Sequence, residues 1–215
     1  MKLLDSSIVT IIFDRLAAEI KDPSTELNST NNYTLLVAVV LSAQMTDRGV
    51  NRATESLFKV ADTPQKMLEL GEDRLREYIK TINYYPTKTR YVIGLSRILV
   101  EEFGGEVPGN REALERLPGV GRKTASVVLN VAFGQPTLPI DTHLLRLAGR
   151  LGLSEKKTPR GVEDDLLLVI PERYGREAHH LLLLHGRYIC TARKPQCTTC
   201  LIADLCPKNG VKDFV

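Results

Sequence analysis

A glycine hairpin set between two helical stretches constrains this chain more than any other segment. Leu117-Pro118-Gly119-Val120-Gly121-Arg122-Lys123-Thr124-Ala125 follows Arg111 to Leu117 and leads into Thr124 to Phe133, and both flanks are patterned as helix. Glycine reaches positive φ without a Cβ penalty, so Gly119 and Gly121 are expected to turn the chain tightly and to let backbone approach a ligand. The first N–H groups of the following helix have no partner within it, which makes a site suited to a phosphate. Lys123 adds a cation there. A helix, hairpin and helix used in this way grip a sugar-phosphate backbone without reading bases, so Gly119, Val120, Gly121 and Arg122 are candidate DNA contacts. On the hairpin alone, a non-specific DNA-binding module outranks an enzyme.

The charge distribution supports a nucleic-acid face. The net charge is only +3, but residues 116–160 hold eight Lys and Arg (Arg116, Arg122, Lys123, Arg146, Arg150, Lys156, Lys157, Arg160) against Asp141 and Glu155. The rest of the chain is therefore net negative. Charged runs usually mark solvated helix faces; here the excess surrounds the hairpin, as a phosphate-binding face would require. No apolar run is long enough to span a bilayer. The N-terminal residues from Met1 to Leu16 place Asp5 and Asp14 among spaced apolar residues, which suits an amphipathic helix rather than a signal peptide. An intracellular, cytoplasmic protein is expected, nucleoid-associated in a bacterium.

The 215 residues allow one domain or two small ones, and helix signals recur throughout with no period-2 strand. The fold class expected is all-α. Tyr33 to Ser42 is almost wholly apolar and reads as a helix buried on most sides; its β-branched residues also permit a strand, but no partner strand is evident. Thr63-Pro64 and Thr158-Pro159 are helix starts, Gly104-Gly105 is a stop, and Pro108-Gly109-Asn110 turns into the helix before the hairpin. Asn28 to Asn32 is a polar loop, Pro171 closes a helix that begins near Arg160, and a buried helix from Arg176 leads into Cys190.

All four cysteines fall at Cys190, Cys197, Cys200 and Cys206, a C-x6-C-x2-C-x5-C pattern. Such clustering asks for a common ligand, and an intracellular setting argues against disulfides. Four thiolates suit tetrahedral zinc or an iron-sulfur cluster, and spacing alone leaves the two near even. Between Cys190 and Cys197 stand Arg193 and Lys194, with Arg187 upstream, so a loop anchored at both ends would present these charges to a phosphate.

Hairpin, aspartate and cysteines together resemble the endonuclease III family of DNA glycosylases, in the helix-hairpin-helix superfamily. The resemblance covers nearly the whole chain. It rests on Leu41-Ser42-Ala43-Gln44-Met45-Thr46-Asp47, the hairpin, Ile140-Asp141-Thr142-His143, His185-Gly186-Arg187-Tyr188 and the cysteines. It implies two helical lobes with a DNA-binding cleft between them: a six-helix barrel over residues 25–135, and residues 1–24 with 136–215 carrying a structural [4Fe-4S] cluster on the four cysteines. The implied partner is double-stranded DNA with damaged bases or abasic sites, bound by a monomer.

The resemblance also assigns chemistry. Lys123 becomes the amine that attacks C1′ of a damaged nucleotide, and Asp141 the carboxylate that assists proton transfer and stabilises an oxocarbenium-like sugar. A helix N-terminus, neighbouring arginines and partial burial each disfavour an ammonium. Without the resemblance, Asp141 reads as an N-cap and Lys123 as a phosphate contact. Reaching C1′ requires the nucleotide to leave the stack. Gln44 is implied on an inserting loop, and residues near Tyr84 as a wedge on the opposite strand. Asn83 stands where the family commonly has Gly, and Tyr84 where an aliphatic wedge is often found. An aromatic there can also stack on an orphaned base. His143, His179, His180 and His185 are expected to pack helices.

Two other readings compete. A monofunctional mismatch glycosylase of the adenine-specific kind usually lacks the lysine and carries a further C-terminal domain, whereas Lys123 is present and the chain ends soon after Cys206. A non-enzymatic iron-sulfur DNA sensor or electron carrier would keep hairpin and cysteines but lose Lys123 or Asp141, and both remain.

Overall fold

The computed structural model describes residues 4–215, and these form eleven α-helices and one 3₁₀ turn with no strand. The first helix, α1 (Ser6–Glu19), starts where Asp5 accepts a bond from the Ser7 N–H at 2.9 Å. Met1, Lys2 and Leu3, the beginning of the expected N-terminal helix, lie outside the described residues. The chain divides into two compact units, Thr25–Gly134 and Met1–Ser24 with Gln135–Val215.

The continuous unit holds α2 (Asn32–Leu41), α3 (Asp47–Val60), α4 (Pro64–Leu70), α5 (Glu72–Ile79), α6 (Tyr85–Phe103), α7 (Arg111–Glu115) and α8 (Arg122–Phe133). These are seven helices rather than the six the resemblance implies. Gly71, at φ +79, ends α4 and starts α5, a conformation other residues reach only under strain. Nine of the ten residues of α2 are buried. Burial on all sides overrides the modest helix propensity of its valines, and Asn31 and Thr34 close a capping box at its start. Helix α2 packs against α8, α3 and α6, so the strand alternative for this segment is excluded.

The other unit pairs α1 with α9 (Thr142–Leu151), α10 (Pro159–Val169) and α11 (Ala178–Tyr188). Phe13 and Leu16 of α1 are fully buried in one cluster with Leu144, Leu147 and Leu181. The Phe13 ring stacks on Tyr174, with centroids 5.6 Å apart, and Asp14 accepts from the Tyr174 hydroxyl at 2.6 Å and from Arg173. Arg15 donates to the Leu201 carbonyl at 3.0 Å and to Asp204 at 2.6 Å. Apolar burial and these bonds attach the N-terminal helix to residues more than 150 positions away. As expected, His179, His180 and His185 are buried within α11.

Truncation of Leu36, fully buried in α2, to alanine is expected to cost about 2–5 kcal/mol. Leu168→Ala, at a side chain 85% exposed, is expected to change stability by no more than about 0.5 kcal/mol, and chemical denaturation of both variants measures the contrast.

Candidate functional site

The hairpin is built on α6. Gly119 adopts φ +80, and a Cβ there would lie 2.8 Å from Tyr91 Cδ2, so both the turn and its close packing require glycine. The Val120 N–H bonds the Leu117 carbonyl at 3.0 Å. One expectation is corrected. Gly121 is extended (φ −98°, ψ −179°), since it acts as the N-cap of α8 and leaves the tight turn to Gly119. Val120 is buried, so only its backbone is available to a ligand.

A Cβ on Gly121 would meet nothing within 4 Å. Neither conformation nor internal packing demands a glycine there, and the open space lies against the N-terminus of α8, where an anion is favoured. Arg122 and Lys123 follow as the first two residues of α8, both exposed; the partial burial expected of Lys123 is absent because it sits on the first, outward-facing turn. Arg111 donates to Ser126 Oγ at 2.8 Å and to the Arg122 carbonyl at 3.3 Å, fixing α7 to the start of α8. Asp47, the first residue of α3, lies near enough to sense Lys123: burial pushes its carboxyl up, and the Lys123 ammonium pulls it back. Sequence reasoning placed Asp47 in a motif without linking it to the lysine.

Gln44 and Tyr84 belong to the same unit and are both exposed, Tyr84 by 65%. Both have left-handed backbones, with φ +56° and +59°. Asn83 Nδ2 donates to the Gln44 carbonyl at 2.8 Å, and the buried Lys88 Nζ donates to the carbonyls of Leu41 and Ala43 at 2.8 and 2.6 Å.

Asp141 and the cysteines lie in the other unit. Asp141 is the N-cap of α9, where its Oδ1 accepts from the N–H groups of His143 and Leu144 at 2.8 and 2.9 Å. Two such bonds hold the carboxylate rigidly. Arg146 and Arg150 project from the same helix onto the cysteine loop. Arg146 donates to the carbonyls of Gly186 and Cys190 at 2.6 and 3.1 Å, and Arg150 to those of Thr191 and Ala192 at 2.7 and 2.8 Å. These two cations were counted with the phosphate-binding excess, but the structure uses them to satisfy loop carbonyls. Arg193 and Lys194 are exposed at the loop tip, and Arg187 is half-buried on α11.

All four cysteines are unpaired thiols lining one pocket. Among the described residues, no three His, Cys, Asp or Glu side chains converge closely enough to hold one metal ion. Tetrahedral zinc needs its sulfurs about 2.3 Å from a single centre, whereas sulfurs ringing a cavity fit a multi-iron cluster. Burial raises the Cys200 and Cys206 thiols, so a positive centre in the cavity would replace their protons. Arg150 Nη1 and the Lys208 N–H, each at 3.3 Å, donate to Cys190 Sγ and Cys206 Sγ, as bonds that tune cluster thiolates do.

Comparison with known proteins agrees with this geometry. Residues 37–172 match the HhH-GPD superfamily base excision DNA repair protein, and residues 190–206 match the iron-sulfur binding domain of endonuclease III. The fold and hairpin therefore define a base-excision DNA repair protein of the HhH-GPD class. Endonuclease III of Treponema pallidum (strain Nichols) is 58% identical across 98% of this chain and 100% of its own length, and that of Escherichia coli (strain K12) is 52% identical across 91% and 92%. A solved trapped endonuclease III-DNA covalent intermediate aligns at TM-score 0.89 and 39% identity, covering 96% of this chain and 97% of its own. The chain belongs to the endonuclease III family. Its cofactor is a [4Fe-4S] cluster on the four cysteines, and the zinc alternative falls away.

A carboxyl held above its ordinary value in the folded state binds its proton more tightly there, so stability is lost as pH rises from the unfolded value near 3.8 through the folded one. Asp47→Asn is therefore expected to melt above the wild-type protein at pH 7, with the gap closing as pH falls toward 4. Arg150→Met, by releasing the loop carbonyls and the Cys190 sulfur, is expected to hasten loss of the cluster's visible absorbance under air or chelator.

Proposed function

We infer that the chain is a bifunctional DNA glycosylase and abasic-site lyase of base-excision repair, removing oxidised pyrimidines from duplex DNA and cutting on the 3′ side by β-elimination. The observation that carries the residue assignment is Lys123 standing exposed on the first turn of α8, directly after a glycine with open space beside it. A backbone phosphate bound at this N-terminus brings the sugar to the lysine amine.

With the nucleotide out of the stack, the Lys123 amine bonds to C1′ as the C1′–N bond breaks, and the base departs with a proton. The sugar ring opens to an iminium joined to the lysine. Loss of the C2′ proton then expels the 3′ phosphate, and hydrolysis of the imine frees Lys123. Asp141, held by two backbone bonds, supplies negative charge to the cationic sugar and a base for proton transfer. Gln44 fills the vacated position, and Tyr84 wedges or stacks on the opposite strand. Arg122, Arg187, Arg193 and Lys194 contribute cations for backbone phosphates. The four cysteines hold a structural group whose chemistry is not used in the reaction. Among the described residues no helix is long and apolar enough to cross a membrane. From the likeness to bacterial endonuclease III, the place of work inferred is the cytoplasm, with the chromosome.

Lys123→Gln is expected to abolish borohydride-trapped covalent product on duplex DNA with one abasic site while keeping affinity for that duplex within about fivefold, the factor an exposed charged contact is worth. Asp141→Asn is expected to slow base release by roughly 10²–10⁴, as loss of a positioned acid-base group does. Persistent trapping by the lysine variant would assign the chemistry elsewhere.

A further inference from the structure

We propose that Asn83 and Lys88 are positioning residues that join the Gln44 loop and the Tyr84 turn into one preformed wedge, and that Asn83 acts through Gln44. This rests on the reading of Gln44 and Tyr84 as the residues that enter the duplex. The two segments lie about 40 positions apart in the chain, one after α2 and one at the start of α6; packing of those helices brings them near, and the loop backbones beyond it need bonds of their own.

The joints are specific. Asn83 Nδ2 reaches across to the carbonyl of Gln44 itself, at 2.8 Å. Lys88 extends from the first turns of α6, where its own N–H bonds the Tyr84 carbonyl at 3.0 Å, and its ammonium holds the carbonyls of Leu41 and Ala43. Leu41 is the last residue of α2, so the cation also complements the negative end of that helix. Lys88, anchored in the first turns of α6, thus reaches the loop before Gln44 with its side chain, and Asn83 locks the tip.

The backbone gives a second, independent sign. Of the described residues only Gln44, Tyr84 and Lys208 have positive φ without being glycine, and two of the three are the wedge residues. A left-handed backbone with a large side chain persists only where surrounding bonds determine it. The Gln44 carbonyl bond and the flanking Lys88 bonds supply that restraint. Both side chains stay exposed while their backbones are fixed, as a wedge ready before binding requires. Asn83 is exposed, with no burial to explain its choice, and a glycine in its place would lack the donor.

A double-mutant cycle tests this, using single-turnover opening of a duplex with one oxidised pyrimidine beside 2-aminopurine, followed by the fluorescence rise. Asn83→Ala is expected to slow opening about threefold to tenfold, the factor one hydrogen bond is worth, with a melting temperature lowered by no more than about 2–4 °C and unchanged affinity for undamaged duplex. Gln44→Ala is expected to slow opening as well, and adding Asn83→Ala to it to bring no further loss. An equal Asn83→Ala penalty in both backgrounds, or none in either, overturns the coupling while the Gln44 effect still stands. A Gln44→Ala variant that opens the duplex at the wild-type rate overturns the insertion reading, and the coupling with it.

Discussion

Packing of the apolar helix α2 against α8 is the interaction on which the continuous unit, with the hairpin, depends. Helix α2 is buried along almost its whole length, which leaves its neighbours little freedom to shift. From α8 it fixes the N-terminus with Gly121, Arg122 and Lys123; from its own C-terminus it launches the loop with Gln44 and then Asp47 at the start of α3. The tight fit of Gly119 against Tyr91 anchors the hairpin to α6, the helix that also carries Tyr84 at its start and Lys88 in its first turns. Exposed candidate residues are thus hung on a dry core.

The second unit solves a different problem. Its cysteine loop has little regular structure, so its carbonyls need partners from elsewhere. Arg146 and Arg150 provide them from α9, the helix whose first turn is capped by Asp141. One short helix therefore orients the candidate catalytic carboxylate at one end and braces the cluster loop with side chains farther along. A loop braced in this way keeps Arg193 and Lys194 exposed at its tip.

Much of this was legible in residue order because the responsible signals are local. Proline after threonine, paired glycines and Asn110 marked helix ends that the structure places within a residue or two. The same locality produced the errors. Gly121 was expected to turn because it is glycine, yet an N-cap is extended and the turn had already been made by Gly119. Arg146 and Arg150 entered the basic excess of residues 116–160 because formal charge is visible in a sequence, whereas the carbonyls 40 residues away that they bond are not.

The sequence by itself determined the helical class, the glycine hairpin with its lysine, the aspartate cap and the four-thiol ligand set, since each follows from residue type and short spacing. Only the tertiary structure decided that Val120 is buried and Lys123 exposed, that Asp47 senses Lys123, and that Asn83 and Lys88 tie two distant loops together. Burial and long-range hydrogen bonds depend on which surfaces the packed helices bring together, and a side-chain donor has no identifiable acceptor until the chain has folded.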